Sequence, residues 1–261
     1  MQSIFPATAA RLEEWKVQPG VLGVVLVGSK SRGHNDELSD DDLEVLLSDE
    51  AFAQLAPSNT GEVFVEGEGA ERKLIYDVQY TSLSGLLRKP SSHHDLDHWP
   101  YERAQVLFDR DGRVSAAVAA AGSMDPQFRH TRLLHATIDA WVAPRRAAKT
   151  LKRGADCAGR IIIAKGAKAL SRVIFALENR WVPLDHWLEA ELRTLEDPQQ
   201  TAPLLCRAVS TGDPAPLTEA LNRLEDRLFA EGVPRAADRI PLFYELVHVS
   251  RAEERSIHGL N

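Results

Sequence analysis

Cysteine is nearly missing from this chain. Cys157 and Cys206 are the only two in 261 residues. That excludes a disulfide framework and fits a reducing compartment, the cytoplasm. Each cysteine reads first as a small buried hydrophobe, not as a nucleophile or metal ligand. Long hydrophobic runs are missing too, so no membrane span is expected. The opening "MQSIFPATAARLEEW" has neither a charged leader nor a long apolar core, and no signal peptide is expected. Positive charge is in deficit: 31 Lys and Arg stand against 38 Asp and Glu, a net −7. That argues against a general nucleic-acid coat but leaves room for a local basic groove. Internal repeats and low-complexity segments are also lacking.

The apolar share, 44%, is ample for a core, and the length suits one large domain or two modest ones. The first half mixes strands with short helices. "VLGVVLVG" and "DDLEVLLS" are short apolar runs of buried-strand type, while "GEVFVEG" and "KLIYDVQYTSL" alternate. "AQVLFDRDG" is a short strand closed by a turn. Near Gly122 the texture changes to successive amphipathic helices, at roughly 126–153, 156–178, 184–195, 214–230 and 238–256, punctuated by Pro183, Pro198, Pro214 and Pro234. The expectation is an α+β domain over 1–122, with a mixed sheet and flanking helices, then a helical bundle over 123–261.

The chemistry concentrates in "VLVGSKSRGHNDELSDDDLEVLL". Gly28 permits a sharp turn and close approach of a ligand. Ser29 adds a hydroxyl, and a helix opening there would offer unpaired N–H groups to phosphate oxygens, with Lys30 and Arg32 adding charge. Asp40, Asp42 and Glu44 then share one strand face, with Leu43, Val45 and Leu47 on the other. Neighbouring carboxylates repel unless a cation intervenes. Mg²⁺ is the natural cation, since it is held by one or two carboxylates plus substrate phosphates. Turn and carboxylates together make a site for a metal–nucleotide complex. Asp77, alone in the apolar-aromatic "KLIYDVQYTSL", violates strand propensity, and such violations tend to mark functional sites. If its strand lies beside that of Asp42, it reaches the metal or a substrate hydroxyl.

Gly28-Ser29-Lys30-Ser31-Arg32-Gly33 followed by Ser39-Asp40-Asp41-Asp42-Leu43 resembles the signature of the DNA polymerase β-like nucleotidyltransferase superfamily. The resemblance implies a nucleotidyltransferase fold, a Gly-Ser turn on the nucleotide phosphates, and Mg²⁺ on two acids. A third acid on a later strand is then a metal ligand or the base. Carried over, Ser29, Asp40, Asp42 and Asp77 take those roles. One departure is Asp41, where the family has an apolar residue. The alternative pairing of Asp42 with Glu44 stays open, although Ser39 favours Asp40 with Asp42. Chain length, a helical second half and "WVPLDHWLEAELRTL" look most like aminoglycoside and lincosamide nucleotidyltransferases. That implies transfer of a nucleoside monophosphate, AMP first, from NTP to a hydroxyl of such a small molecule, releasing pyrophosphate. The rivals are a nucleotidyltransferase acting on tRNA or protein, and a regulator that binds nucleotide without turnover.

Other stretches have plainer readings. "SSHHDLDHW" reads as a solvated loop, with a zinc site or substrate cover as the sharper alternatives. Trp99, Tyr101, Val106, Leu107 and Phe108 read as interdomain core, with Glu102 as a base the sharper alternative. "KTLKRGADCAGRIIIAKGAKALSR" carries a run of Lys and Arg. A solvated helix face competes there with a triphosphate clamp across an interdomain cleft, for which Lys165 and Lys168 are the first choices. Trp181 and Trp187 read as packing residues.

Overall fold

The computed structural model describes residues 4–248. The fold is α+β, with a five-stranded mixed sheet in the first half and helices in the second. The chain divides into two compact units, Met1–Ser92 with Asp97–Ser123, and His93–Leu96 with Met124–Asn261.

In the first unit the strands are β1 (Val21–Leu26), β2 (Asp41–Leu47), β3 (Gly61–Glu66), β4 (Lys73–Ser82) and β5 (Gln105–Asp109). Their order is β3-β4-β2-β1-β5. Only β2 and β4 run parallel; the other neighbours are antiparallel. The helices of this unit are α1 (Pro6–Val17), α2 (Gly28–Arg32), α3 (Asp49–Ala53), α4 (Leu83–Arg88), α5 (Trp99–Glu102) and α6 (Arg113–Gly122).

Two apolar clusters follow from strand alternation. Leu43, Val45 and Leu47 of β2 pack with Leu12 and Trp15 of α1. Leu46 points the other way and packs with Leu86, Val114 and Val118 of α4 and α6. Asp42 and Glu44 share the side of Leu46. Polar groups anchor the α1 side: Glu62 of β3 accepts from Arg11 (2.7 and 3.0 Å), Tyr76 (2.9 Å) and Tyr80 (2.7 Å).

The second unit contains α7 (Pro126–Leu151), α8 (Asp156–Leu177), α9 (Leu188–Leu192), α10 (Ala202–Thr211), α11 (Ala215–Ala230) and α12 (Arg239–His248). Asp125 caps α7 through the Phe128 N–H (2.9 Å). The helix continues through Pro144, which is buried. Helices α7 and α8 pack tightly because Gly166 lacks a side chain: a Cβ there would lie 2.5 Å from that of Ala143. Among the described residues no helix is long and apolar enough to cross a membrane.

Two expectations need correction, the helix at 184–195 and the solvated loop at 91–99. The helix expected at 184–195 is a 3₁₀ turn, Asp185–Trp187, followed by the short α9. The expected helix at 238–256 is α12 as far as His248, and 249–256 lie outside the described residues. Tyr101 and Val106 pack in one cluster of the first unit, and Leu107 and Phe108 in the other. They pack within that unit.

"SSHHDLDHW" is not a solvated loop throughout. His98 is fully buried, its ring nitrogens 2.7 Å from the Ala121 carbonyl and 3.0 Å from that of Ser92. Asp95 accepts both terminal nitrogens of Arg132 (2.5 and 3.1 Å) and the Val182 N–H (2.9 Å). Arg132 is wholly buried, its guanidinium 4.6 Å from the Phe128 ring and 5.3 Å from Trp181.

Removing one partner of a buried pair leaves an uncompensated charge and costs about 3–5 kcal/mol. Asp95→Ala should destabilise the protein by that order in urea unfolding. Asp97→Ala, at a more exposed pair with Lys89 (3.9 Å), should cost less than about 1 kcal/mol. Equal costs would show that Asp95 is no anchor for Arg132.

Candidate active site

The site begins where β1 ends. Gly28 has φ +69°, a left-handed backbone that favours glycine, and it lies against Asp42. A Cβ on Gly28 would stand 1.9 Å from Asp42 Oδ2. The turn is held by the Val27 N–H bonding to the Asp42 carbonyl (2.9 Å) and by Ser31 Oγ donating to the Gly28 carbonyl (3.0 Å). Ser29 is buried just behind it. The loop back to β2 is closed by Asp36, whose carboxylate accepts from the Leu38 N–H (2.9 Å) and Ser39 Oγ (3.1 Å).

The parallel pairing of β2 with β4 sets Asp42 directly opposite Asp77. Side chains of facing residues project to the same side of a sheet. Asp77 is exposed, and its partner on β3 is Val63, also exposed. The transverse row Val63, Asp77, Asp42 therefore ends at the Gly28 turn. One step along, Gln79 faces Glu44. Asp40 enters from the residue before β2.

Three carboxylates here act on one another. Burial pushes the Asp42 carboxyl up to about 6, with the charges of Asp40 and Asp77 adding to the effect and Lys30 opposing it. Burial also raises Asp40, followed by the charge of Asp77. Burial and like charge together disfavour the ionised forms, and a cation or a shared proton would relieve them. The donors are all carboxylate oxygens, which suits a hard cation of the Mg²⁺ type. Among the described residues no three His, Cys, Asp or Glu side chains already surround a single point as a finished metal site. Any cation would therefore draw part of its shell from water or substrate oxygens.

The other acids of the cluster face elsewhere. Asp41, completely buried, points to the α1 side. It accepts from Lys30 Nζ (2.6 Å), Thr8 Oγ1 (2.5 Å) and the Phe5 N–H (2.9 Å). Glu44 is buried and meets the Tyr101 hydroxyl at 2.8 and 2.6 Å, its pKa raised by burial. Tyr101 also rises, by burial and then by the Glu44 charge.

The structure thus sets Gly28, Asp42 and Asp77 side by side, with Asp40 within electrostatic range of both acids. It does not turn the nearby cations to the same point. Lys30 is buried against Asp41, 3.5 Å from the Phe5 ring centre. Arg32 is buried too, donating to the Trp99 carbonyl and to Glu102 (3.1 Å). Glu102 is committed to that pair. Lys168, in the second unit, is paired with Asp185, and Lys165 is exposed on α8. The residues missed by sequence reading are Val63, which only the β3–β4 register sets beside Asp77, and Tyr101, which only packing sets on Glu44. No local signal announces either.

No family model matches the chain, and no curated protein matches it. Among solved structures, a nucleotidyltransferase-like protein from Exiguobacterium sibiricum aligns over 97% of this chain and 87% of its own, at a TM-score of 0.48 and 15% identity. Likeness at that level bears on neither activity nor substrate.

A raised carboxyl pKa gives the folded state stability at low pH that is lost as pH rises through the shifted value. For Asp42 that window runs from about 4 to about 6. With a chelator present, Asp42→Asn should melt higher than the parent at pH 7.5, and the difference should vanish near pH 4. A constant difference across that range would show that the fold does not raise the Asp42 carboxyl.

Proposed function

We propose that the first unit is the catalytic half of an Mg²⁺-dependent nucleotidyltransferase. The observation that carries this reading is Asp42 opposite Asp77 in parallel register, with Gly28 packed on Asp42. Asp40 and Asp42 would hold the metal, and Asp77 would complete the set or serve as base. The turn at Gly28 and Ser29 would receive the phosphates of an NTP, with ATP as the expected donor. Lys165 and Lys168 are retained as proposed contacts for the triphosphate, Lys168 only after release from Asp185.

Bound there, Mg²⁺ would offset charge on the phosphate oxygens and on the leaving group. The chain's own residues do the rest. Gly28 leaves room at the turn where a side chain would displace Asp42. Asp77, exposed beside the metal face, can take the proton of an acceptor hydroxyl. The hydroxyl oxygen bonds to the α-phosphorus, the bond to the bridging oxygen breaks, and pyrophosphate leaves. Holding the two reactants in line supplies much of the acceleration. The acceptor proposed is a small hydroxyl-bearing molecule of the aminoglycoside or lincosamide kind, on the strength of the sequence resemblance. Glu44 is not a metal ligand in this reading, because Tyr101 already occupies its oxygens.

Pyrophosphate release should be followed with each NTP, Mg²⁺ and a panel of aminoglycosides, lincosamides and tRNA. Asp42→Asn should abolish transfer, while Glu44→Gln should retain it within about tenfold; the opposite order would select the Asp42–Glu44 pairing. Asp77→Asn should cut turnover by about two to four powers of ten if it is the base, with Mg²⁺ and NTP binding kept in calorimetry. If it is a ligand, metal affinity should fall with the rate. Full activity in both Asp42→Asn and Asp77→Asn would end the proposal.

A further inference from the structure

The end of the α7–α8 hairpin carries a one-signed surface. Between 145 and 160 the chain has six basic residues, Arg145, Arg146, Lys149, Lys152, Arg153 and Arg160, and one acid, Asp156. The whole chain has net −7. All six are exposed, and none has an acidic partner among the described residues. At 3.6 residues per turn, 145, 149 and the capping residue 152 fall in one row with 146 beside it, and 153 lies in the turn beyond the helix. The buried Ala140, Ala143 and Ala147 occupy the opposite side of α7. Arg160 joins from α8, where Gly159 packs on Leu151 at the end of α7.

An ordinary solvated helix face mixes signs and forms pairs along the helix. The same unit does this elsewhere. Arg193 pairs with Glu189, Arg223 with Glu219, and Arg235 with Asp226. The attraction of cations to a helix C-terminus accounts for Lys149 and its neighbours in the last turn, not for Arg145, Arg146 or Arg160. Unrelieved like charge costs stability, so this face is set for an external polyanion. An anionic membrane would need a bulky apolar face beside the charges. Here the apolar side of α7 is used in the core, and Ile161 is the exposed large hydrophobic of the segment.

We infer that the tip of the α7–α8 hairpin binds the phosphodiester backbone of nucleic acid. Binding is electrostatic and independent of base sequence, since the face offers cations and no exposed aromatic side chain for stacking. This does not rest on the catalytic reading, and it is measured without NTP or metal.

The test is fluorescence anisotropy with a labelled RNA hairpin, single-stranded RNA and a DNA duplex, each over a salt series. Co-sedimentation with phosphatidylserine–phosphatidylcholine vesicles runs beside it. The parent should bind, with log K falling against log salt by no more than about 4 for single strands, from six phosphate contacts at about 0.7 each. The triple variant Arg145→Ala, Arg146→Ala, Lys149→Ala should bind at least tenfold more weakly near 0.1 M salt, with the slope reduced by about 2. Arg193→Ala should bind like the parent. Circular dichroism must show both variants folded; if the triple variant is not, Arg146→Gln alone should reduce the slope by about 1 or less while keeping the fold. The RNA and DNA arms decide which backbone is preferred. No nucleic-acid binding at low salt, an unchanged triple variant, or binding to vesicles alone would overturn the inference.

Discussion

The buried pair of Lys30 and Asp41 is the constraint on which the first unit depends. Asp41 has no exposure, yet it carries a carboxylate into the layer between the sheet and α1. Three donors meet it: Lys30 from α2, Thr8 from α1, and the Phe5 N–H ahead of α1. A buried charge is tolerable only with partners this complete. One side chain thus ties the first helix, the Gly28 turn and the start of β2 to a common point. The turn then has little freedom, and Asp42, next along the strand, must face the other way.

That alternation explains why three acids can stand in a row at positions 40–42. Asp41 sits on the packed side of β2, and Asp42 sits on the side of Asp77. Lys30, which looked like a phosphate contact, is instead the internal counter-ion. Its charge still reaches Asp40 and Asp42, easing their ionisation without cancelling their repulsion. The residual strain belongs to the candidate site. A carboxylate row that repels itself costs the fold something, and local costs of this kind are expected where chemistry is done. Glu44 shows the contrast: it lies on the same face, yet Tyr101 satisfies it inside the core.

Much of the fold was legible because its signals are local. All five strands follow from runs and alternation in the first half. Helices α7, α8 and α11 follow from apolar spacing. Helix α10 was passed over because Pro198 and Pro214 read as punctuation, while Pro203 in fact occupies its first turn, where proline is at home. Helix α6, "RVSAAVAAAG", was overlooked although its buried Val114, Ala117, Val118 and Ala121 keep helical spacing. The excursion of His93–Leu96 into the second unit has no compositional mark, because it depends on long-range contacts: Asp95 with Arg132 and the Val182 N–H, and His93 stacked on Phe128.

By itself the sequence determined where the turn, the acids and the strands lie, since turn chemistry and side-chain period act over a few residues. It also determined that Asp40, Asp42 and Glu44 repeat every second position. Only the tertiary structure decided what each acid faces. Asp42 and Asp77 are 35 positions apart in the chain (77 − 42) and meet through the parallel register of β2 and β4. Asp41 meets Lys30 through the packing of α1 and α2, and Glu44 meets Tyr101 through the packing of α5. Periodicity states which side of a strand a residue occupies. The partner waiting there is set by long-range packing, which no local pattern carries.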